Sequence, residues 1–260
     1  MQPMKVLHIV CVAVCFTLAT ISAPTFANNK LFAKGAKAFE KKDYRQALKL
    51  WKKSAKKGGA SAGYNLGLIY HQGKIVEQNI PEAAKWYDKA ASNGHHLAAY
   101  NLAKLYLTGN QIPRDLEKAA SLYRTSAKMG HPEAKYELGV LYEQGLGVEV
   151  DPERAAKWIK SAANDGLAIG QFKMVQLYMT GFGVEKNEGL AFEMAKAASE
   201  SGNVDAQYLL GHMYHKGIGT VQSNEMAMIW LEDAIDNGHQ KAKALLTTIE
   251  NETALAANSK

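Results

Sequence analysis

The chain has 260 residues, of which 47% are hydrophobic and 22% are charged, so its composition is that of an ordinary globular protein. These fractions exclude a disordered, collagen-like or disulfide-dense chain, and the length suits one or two domains. The formal net charge of +6 is mild for the whole chain. The distribution of the charges is more informative than their sum.

The first segment, residues 1–27, has the pattern of a secretory signal peptide. Lys5 precedes a mostly apolar run at 6–21, and residues 25–27 form a small-x-small cleavage pattern. The run is shorter than the ~18 to 20 apolar residues that a spanning helix needs, which favours cleavage over an uncleaved anchor. The mature chain is therefore expected to begin near Asn28 and to be exported, either to the periplasm or out of the cell.

Both cysteines, Cys11 and Cys15, lie in this leader. The residues before Cys15 lack the Leu and the small residue that lipid attachment requires. The mature chain is expected to have no thiol, no disulfide and no cysteine metal ligand. No second apolar run of membrane length follows, so the mature chain is predicted to have no transmembrane segment.

After the leader, the sequence repeats itself with a period of 36 residues. Four columns of residues stay in phase without insertions, and such self-similarity indicates a repeat architecture. The columns are Tyr70, Tyr106, Tyr142, Tyr178 and Tyr214; Gly73, Gly109, Gly145, Gly181 and Gly217; Ala47, Ala83, Ala119, Ala155, Ala191 and Ala227; and Gly58, Gly94, Gly130, Gly166, Gly202 and Gly238.

Each repeat is predicted to contain two helices and no strand. Ala62, Leu66 and Tyr70 lie at helical spacing on one face, and Ala83 and Tyr87 do the same in the second half of the repeat. A polar residue that can accept a hydrogen bond from the first turn precedes every second helix. This column of predicted N-caps is Asp43, Asn79, Asp115, Asp151, Asn187 and Ser223. The column from Gly58 to Gly238 is predicted to end the second helices in a left-handed conformation.

These residues resemble the Sel-like repeat (SLR), a branch of the tetratricopeptide-like α/α repeats. The resemblance rests on Ala62-x-Tyr64-Asn65-Leu66-Gly67-x-x-Tyr70-x-x-Gly73 followed by an Asp or Asn and by Ala-x-x-Trp-x-x-x-Ala-Ala-x-x-Gly, and it covers five units over 59–238. It implies an all-α fold, a right-handed α/α superhelical solenoid of 36-residue helix-turn-helix repeats. Such folds host many partners, so the resemblance says little about function.

The two ends depart from the repeat. Gly35 and Ala47 are 12 residues apart, whereas Gly67 and Ala83 are 16 apart, so 28–58 is predicted to be a tetratricopeptide-like N-terminal cap with a shorter loop. Residues 239–260 are predicted to form a C-terminal capping helix followed by a frayed tail from residue 253. A polar outer face is what a terminal solenoid helix requires.

Motifs that could carry chemistry have simpler interpretations here. Residues 59–63 match the G-x-S-x-G elbow, but that motif needs a strained turn between a strand and a helix, and 59–63 begin a repeat helix. The pairs of glycines that start at Gly145, Gly181 and Gly217 lack the third glycine and the strand of a phosphate loop, so they are predicted to be turns. We expect no catalytic residue and no cofactor.

Two histidines have a spacing that could suit a metal site. His212 and His215 are three residues apart on one predicted helix, but no third ligand is apparent, so they are expected to be surface histidines and no metal is expected. His95, His131 and His239 follow the glycine column and are expected to belong to the turns.

The surface then carries the functional prediction. In an α-solenoid the first helices line the concave side, which is the usual binding face. Positions that point away from the core there mix amides, isolated charges and aliphatic side chains, which suits a polypeptide better than a small molecule. The predicted partner-binding residues are Asn65, Leu68, Asn101, Lys104, Glu137, Lys173 and His212. A merely solvated face is the alternative.

Charge marks a second surface. Residues 30–57 contain eleven basic and two acidic residues, a balance of +9, whereas the rest of the mature chain has a balance of −4. Lys34, Lys37 and Lys41 lie on one helical stripe and form a predicted basic patch. Such asymmetry indicates an acidic partner or an anionic surface, although a cap kept soluble by lysines would have the same composition.

Three classes of function follow. The favoured one is an exported scaffold that binds a protein or peptide partner of the cell envelope through its concave face, without catalysis. The first alternative is a binder of anionic lipid or acidic glycan through the basic cap. The second is a hydrolase, because some cysteine-rich SLR proteins are associated with β-lactams, but the mature chain has no cysteine. Export also disfavours nucleic acid as a partner.

Overall fold

The computed structural model describes the backbone of residues 25–258 and the side chains of residues 29–255. Most of the predicted signal peptide, including both cysteines, lies outside the described residues, so its cleavage stays a prediction. The first described helix begins at Thr25, within the predicted cleavage pattern.

Thirteen α-helices and no strand make up residues 25–258. Most are 13 residues long, in keeping with the constant period of the sequence. Their bounds are α1 Thr25–Glu40, α2 Tyr44–Lys56, α3 Ala60–Gln72, α4 Ile80–Ser92, α5 His96–Thr108, α6 Leu116–Lys128, α7 Pro132–Gln144, α8 Pro152–Asn164, α9 Ala168–Thr180, α10 Glu188–Glu200, α11 Val204–Lys216, α12 Asn224–Asp236 and α13 Ala242–Asn258.

Each helix packs on its neighbours in the chain, and the tightest pairs are the two helices of one repeat. The chain is therefore a solenoid of helix pairs, and the predicted fold class is confirmed. The buried side chains form a succession of clusters along the solenoid, each shared between adjacent repeats. A typical cluster combines Tyr123 and Ala120 from one repeat with Leu138 and Tyr142 from the next.

The predicted N-caps are confirmed at all six second helices. In α8, for example, the Asp151 side chain accepts a hydrogen bond from the Arg154 amide at 2.9 Å. The glycine after the same helix, Gly166, has φ of 85°, a left-handed conformation that costs a residue with a Cβ atom 1–2 kcal/mol or so. Helix ends are thus fixed locally, by residues that recur every 36 positions.

Within a repeat, the two helices approach each other where a small residue faces a large one. Gly139 of α7 faces Ile159 of α8, and a Cβ atom on Gly139 would lie 2.5 Å from Cγ1 of Ile159. Val175 and Ala195 occupy the same two columns two helices later, with the large residue now on the first helix. The pairs in these columns are Gly35 and Trp51, Gly67 and Tyr87, Ala103 and Tyr123, Gly139 and Ile159, Val175 and Ala195, and Gly211 and Leu231.

The two ends differ from the interior. Three residues connect α1 to α2, whereas seven connect α3 to α4, as the shorter loop predicted. At the other end, Ala242 and Ile249 are fully buried and Glu250 is exposed, so α13 covers the last repeat with one face. The expectation of a frayed tail from residue 253 is wrong, because α13 continues to Asn258. Thr253 helps to hold it there, since its Oγ1 donates to the Ile249 carbonyl and accepts from Asn224.

Candidate functional site

The seven predicted partner-binding residues lie on consecutive first helices, in two columns that run along one side of the solenoid. We call this surface the first-helix face. All are half-buried except Lys104, which is exposed. One column comprises Asn65, Asn101, Glu137 and Lys173, and the other comprises Leu68, Lys104 and His212.

Asn101 connects two repeats of the first-helix face. Its side chain is hydrogen-bonded to Tyr64 and Tyr87 of the preceding repeat, while Nδ1 of His71 lies 3.3 Å from the Tyr87 hydroxyl. Burial raises the pKa of Tyr64, and the hydrogen bond with Asn101 opposes this increase. Burial also lowers the pKa of His71, with a smaller contribution from the charge of Lys104. The region therefore presents neutral rings and an amide at physiological pH.

The next segment of the face is charged. The Lys104 ammonium lies 5.6 Å from the centroid of the Tyr100 ring, within the range of a cation–π interaction. Glu137 follows one repeat later, and burial raises the pKa of its carboxyl, with Lys104 opposing the increase. Behind Glu137, the hydroxyl of the fully buried Tyr123 has no hydrogen-bond partner within the described residues.

Further along the face, Lys173 pairs with the preceding repeat. Its Nζ lies 2.8 Å from Oε1 of Glu143, and both side chains are about four-fifths buried. His212 is half-buried, and burial, with help from Lys216, lowers its pKa. The face therefore changes along the solenoid from amide and apolar groups at α3 to paired charges at α9.

A pocket opens at the N-terminal end of the first-helix face, between α1 and α3. Its volume is about 350 Å³ and most of its lining is apolar. We call it the N-terminal pocket. It is lined by Phe32, Ala36, Phe39, Glu40, Trp51, Asn65, Leu68, Ile69, Gln72, Lys74 and Ile75. Two of these, Asn65 and Leu68, were predicted as binding residues from the sequence, whereas the three aromatic residues were not.

The aromatic residues form one wall of the N-terminal pocket. The rings of Phe32 and Trp51 have centroids 6.1 Å apart and are stacked, and Phe39 lies 5.3 Å from Trp51 in a tilted arrangement. The Trp51 indole donates to the Phe32 carbonyl at 3.2 Å, which fixes the ring. A sequence signal for this wall exists. Phe32 stands in the column of Tyr64 when Gly35 is aligned with Gly67, and Trp51 stands in the column of Tyr87 when Ala47 is aligned with Ala83.

The same alignment explains the basic patch. Lys30, Lys34 and Lys37 stand in the columns of Ala62, Leu66 and Ile69, which are buried against the preceding repeat. In the first repeat, Lys34, Lys37 and Lys41 are all exposed. We call Lys30, Lys34, Lys37 and Lys41 the lysine stripe. The lysine stripe therefore covers the position where an earlier repeat would dock, at the N-terminal end of the solenoid.

Three histidines lie in the turns between repeats, as predicted, and His239 is one of them, since its amide donates to the Ala234 carbonyl at the end of α12. His95 and His131 are the N-caps of α5 and α7, and each ring nitrogen Nδ1 accepts from the amide three residues later. The expectation that His215 is a surface histidine is wrong, because it is only 3% exposed. Its Nδ1 lies 2.9 Å from Oδ1 of Asn224 on α12, a contact that the spacing of His212 and His215 could not reveal.

The structure also bears on metal, membrane and nucleophile sites. No cluster of three or more His, Cys, Asp or Glu side chains within 29–255 could hold a metal ion. None of the described helices is both long and apolar enough to cross a membrane. Ser61, in the elbow-like motif, lies in the first turn of α3 and is exposed.

Comparisons with known proteins agree with this architecture. The family model of the Sel1 repeat matches six consecutive segments, residues 30–59, 60–95, 96–131, 132–167, 168–203 and 204–239. The first of these takes in most of the segment predicted to be a tetratricopeptide-like cap. No curated protein is significantly similar in sequence to the chain.

Two solved structures share the fold at moderate sequence identity. One is c5321, a protective antigen of uropathogenic Escherichia coli strains with an SLR fold, at 28% identity, a TM-score of 0.82, and coverage of 87% of this chain and 50% of that chain. This chain thus spans about half the length of c5321. The other is a Sel1 repeat protein from Oxalobacter formigenes, at 28% identity, a TM-score of 0.72, and coverage of 84% and 87% of the two chains.

Proposed function

Because the chain belongs to the Sel1-repeat family, we propose that it is an exported scaffold that binds a polypeptide partner of the cell envelope along the first-helix face, which forms the concave side of the solenoid. The signal-peptide pattern of residues 1–27 supports export. Catalysis is not part of this proposal.

The observation that carries the proposal is the continuity of the first-helix face. Asn101, Glu137 and Lys173 are half-buried and interact with side chains of the preceding repeat, so adjacent repeats contribute to one surface. Side chains held in this way lose little further conformational entropy when a partner binds. A long surface with alternating amide, charged and aliphatic groups suits an extended chain, since each repeat can contact successive residues of the partner.

Site-specific photo-crosslinking tests the proposal. A photoreactive residue in place of Lys104 should crosslink to a partner in intact cells, because Lys104 is the most exposed of the seven residues. The matched control replaces Lys160, which is also exposed but lies on a second helix. Crosslinks of equal yield at Lys160, or none at Lys104, would contradict binding along the first-helix face.

The lysine stripe supports a second candidate function, binding to anionic lipid or acidic glycan. Lys34, Lys37 and Lys41 are exposed and lie on one side of α1, so they can approach a flat surface together. Sedimentation with vesicles of anionic lipid, compared with neutral vesicles, tests this function. Attraction of this kind weakens beyond about 8 Å at physiological salt, so binding should decrease steeply as salt increases.

A further inference from the structure

We propose that the N-terminal pocket receives an aromatic side chain from an acidic segment of a protein partner. The lysines of residues 30–57, in the hairpin formed by α1 and α2, attract that segment. The inference rests on the proposed function, because it places the main anchor of the partner at one end of the first-helix face. It adds the chemistry of the partner, which the continuity of the face does not supply.

The size and lining of the pocket favour a single large apolar side chain. About 350 Å³ is at the small end of ligand pockets. Leu68, Ile69 and Ile75 supply one side of the lining and the aromatic wall supplies the other. In protein interfaces, a few aromatic side chains that enter such pockets contribute most of the binding free energy.

The aromatic wall favours a ring over an aliphatic chain. Phe32 and Phe39 both pack against Trp51, so edges and faces of three rings surround the opening. A ring that enters can adopt the edge-to-face or offset geometry that aromatic pairs prefer, at centroid distances of about 4.5–7 Å.

The rim of the pocket suits a peptide backbone. Asn65 and Gln72 contribute carboxamides from α3, and each carboxamide can donate to a carbonyl and accept from an amide. Glu40 and Lys74, also on the rim, have opposite charges, so the rim itself is close to neutral. The charges on the rim therefore do not favour either a positively or a negatively charged partner.

The charge of the hairpin selects an acidic partner. The +9 balance of residues 30–57 belongs to the two helices that build the aromatic wall. Ala36 and Phe39 face the pocket, whereas Lys34 and Lys37 lie on the other side of α1, and Lys41 directly follows its last residue. These lysines act on the approach of a partner rather than by direct contact, so they should affect the association rate while the pocket determines the dissociation rate.

The test uses a fluorescein-labelled acidic peptide with one central tryptophan, and the purified chain, in stopped-flow and anisotropy measurements. Replacement of the peptide tryptophan by alanine should weaken binding by about ten-fold or more. Leu68→Asp should weaken binding to a similar extent through faster dissociation. The control is Leu190→Asp, because Leu190 is an exposed leucine on the second helix α10, outside both the pocket and the first-helix face; it should change the dissociation constant by less than about two-fold.

Reversal of the charges at Lys34, Lys37 and Lys41 to Glu should slow association at low salt and leave dissociation unchanged. Ala36→Phe, which fills the pocket without a charge, provides a second test if Leu68→Asp does not fold. Equal binding of the tryptophan and alanine peptides, or equal losses from Leu68→Asp and Leu190→Asp, would overturn the inference. If crosslinks at Lys104 persist in that case, the scaffold function stands without the anchor; if they are also lost, both proposals are wrong.

Discussion

Tyr142 connects three helices through one side chain. Its hydroxyl accepts a hydrogen bond of 3.1 Å from Nη2 of Arg124 on α6, and the guanidinium of Arg154 on α8 lies 5.8 Å from its ring centroid. The residue is 6% exposed, so most of its ring is packed between adjacent repeats. Its column is thus a structural element of the solenoid rather than a ligand site.

We expect Tyr142→Ala to lower the free energy of unfolding by ~3–5 kcal/mol, the usual cost of truncating a buried aromatic side chain. Tyr142→Phe should cost only about 0.5–1.5 kcal/mol, because it removes the hydrogen bond with Arg124 and keeps the ring. Urea denaturation of both variants measures the difference. Lys104→Ala is the control, and a loss as large as that of Tyr142→Ala would show that the first-helix face is structural.

The cap residues permit a second test of single side chains. Asp151 both caps α8 and forms an ion pair with Arg154, whose Nε lies 3.1 Å from Oδ2. Asp151→Ala should destabilise the protein by about 1 kcal/mol, whereas Asp151→Asn should be nearly neutral, since Asn is an equally good N-cap. A loss on Asp151→Asn as large as that on Asp151→Ala, in thermal unfolding at low salt, would assign the stability to the ion pair instead.

At the scale of helices, packing depends on the alternation of small and large residues between the two helices of a repeat. A Cβ atom on Gly139 would lie 3.0 Å from the Ala155 carbonyl oxygen as well as close to Ile159. The backbone oxygen cannot move as freely as a side chain. A larger residue at Gly139 is therefore expected to push α7 and α8 apart.

Gly139→Ala should destabilise the protein by about 1–3 kcal/mol, because overpacking outweighs the gain of up to about 1 kcal/mol in helix propensity. Ile159→Ala in the same chain should show favourable coupling with it in a double-mutant cycle. Gly189→Ala is the matched control, since its Cβ would meet only Oδ1 of Asn187 at 3.4 Å. An increase in stability for Gly139→Ala equal to that for Gly189→Ala would contradict the packing argument.

Sequence predicts some elements well because their causes are local. The caps at Asp43 and Ser223 accept hydrogen bonds from amides three residues away, so the type of residue at that position of the repeat is enough to locate them. The N-terminal pocket could not be predicted in the same way, because it depends on the separation of α1 and α3. Nor could the burial of His215, which requires the packing of α11 against Asn224 of α12.

Across the whole molecule, buried histidines couple stability to pH. Burial, with a smaller effect of His96, lowers the pKa of His95 to about 4 from its ordinary 6.5. Burial lowers the pKa of His131 as well, against the opposing effect of Glu133. Tyr64 and Tyr100 stack on these two rings and stay neutral in acid, so they do not offset the cost of protonation.

Between pH 6.5 and about 4, His95 therefore binds more protons in the unfolded chain than in the folded chain. The free energy of unfolding should decrease as pH falls through this range, by at most about 3 kcal/mol for His95, and the decrease should level off below pH 4 or so. Urea denaturation across this range measures the slope. His95→Asn should reduce the slope and preserve the cap, since Asn203 caps α11 in the same column. An unchanged slope in this variant would show that His95 does not contribute to the pH dependence of stability.

The lysine stripe also determines how long the solenoid can become. Interior repeats present apolar residues to the preceding repeat, as at Ala62, Leu66 and Ile69, whereas the first repeat presents Lys30, Lys34 and Lys37. The three ammonium groups would lose their hydration if another repeat docked there, at a cost of several kcal/mol each. We therefore expect them to act as a terminator, which keeps one chain from adding end to end to the next.

Replacement of Lys30, Lys34 and Lys37 by Ala, Leu and Ile should therefore convert the terminator into an acceptor end. We expect this variant to associate in a concentration-dependent manner in analytical ultracentrifugation, while the unchanged chain does not extend from that end. A variant that stays the same size as the unchanged chain would show that other residues terminate the array.

By the same reasoning, a tandem duplication of residues 60–95 should lengthen the solenoid without harm when inserted after residue 95, but not when joined ahead of α1.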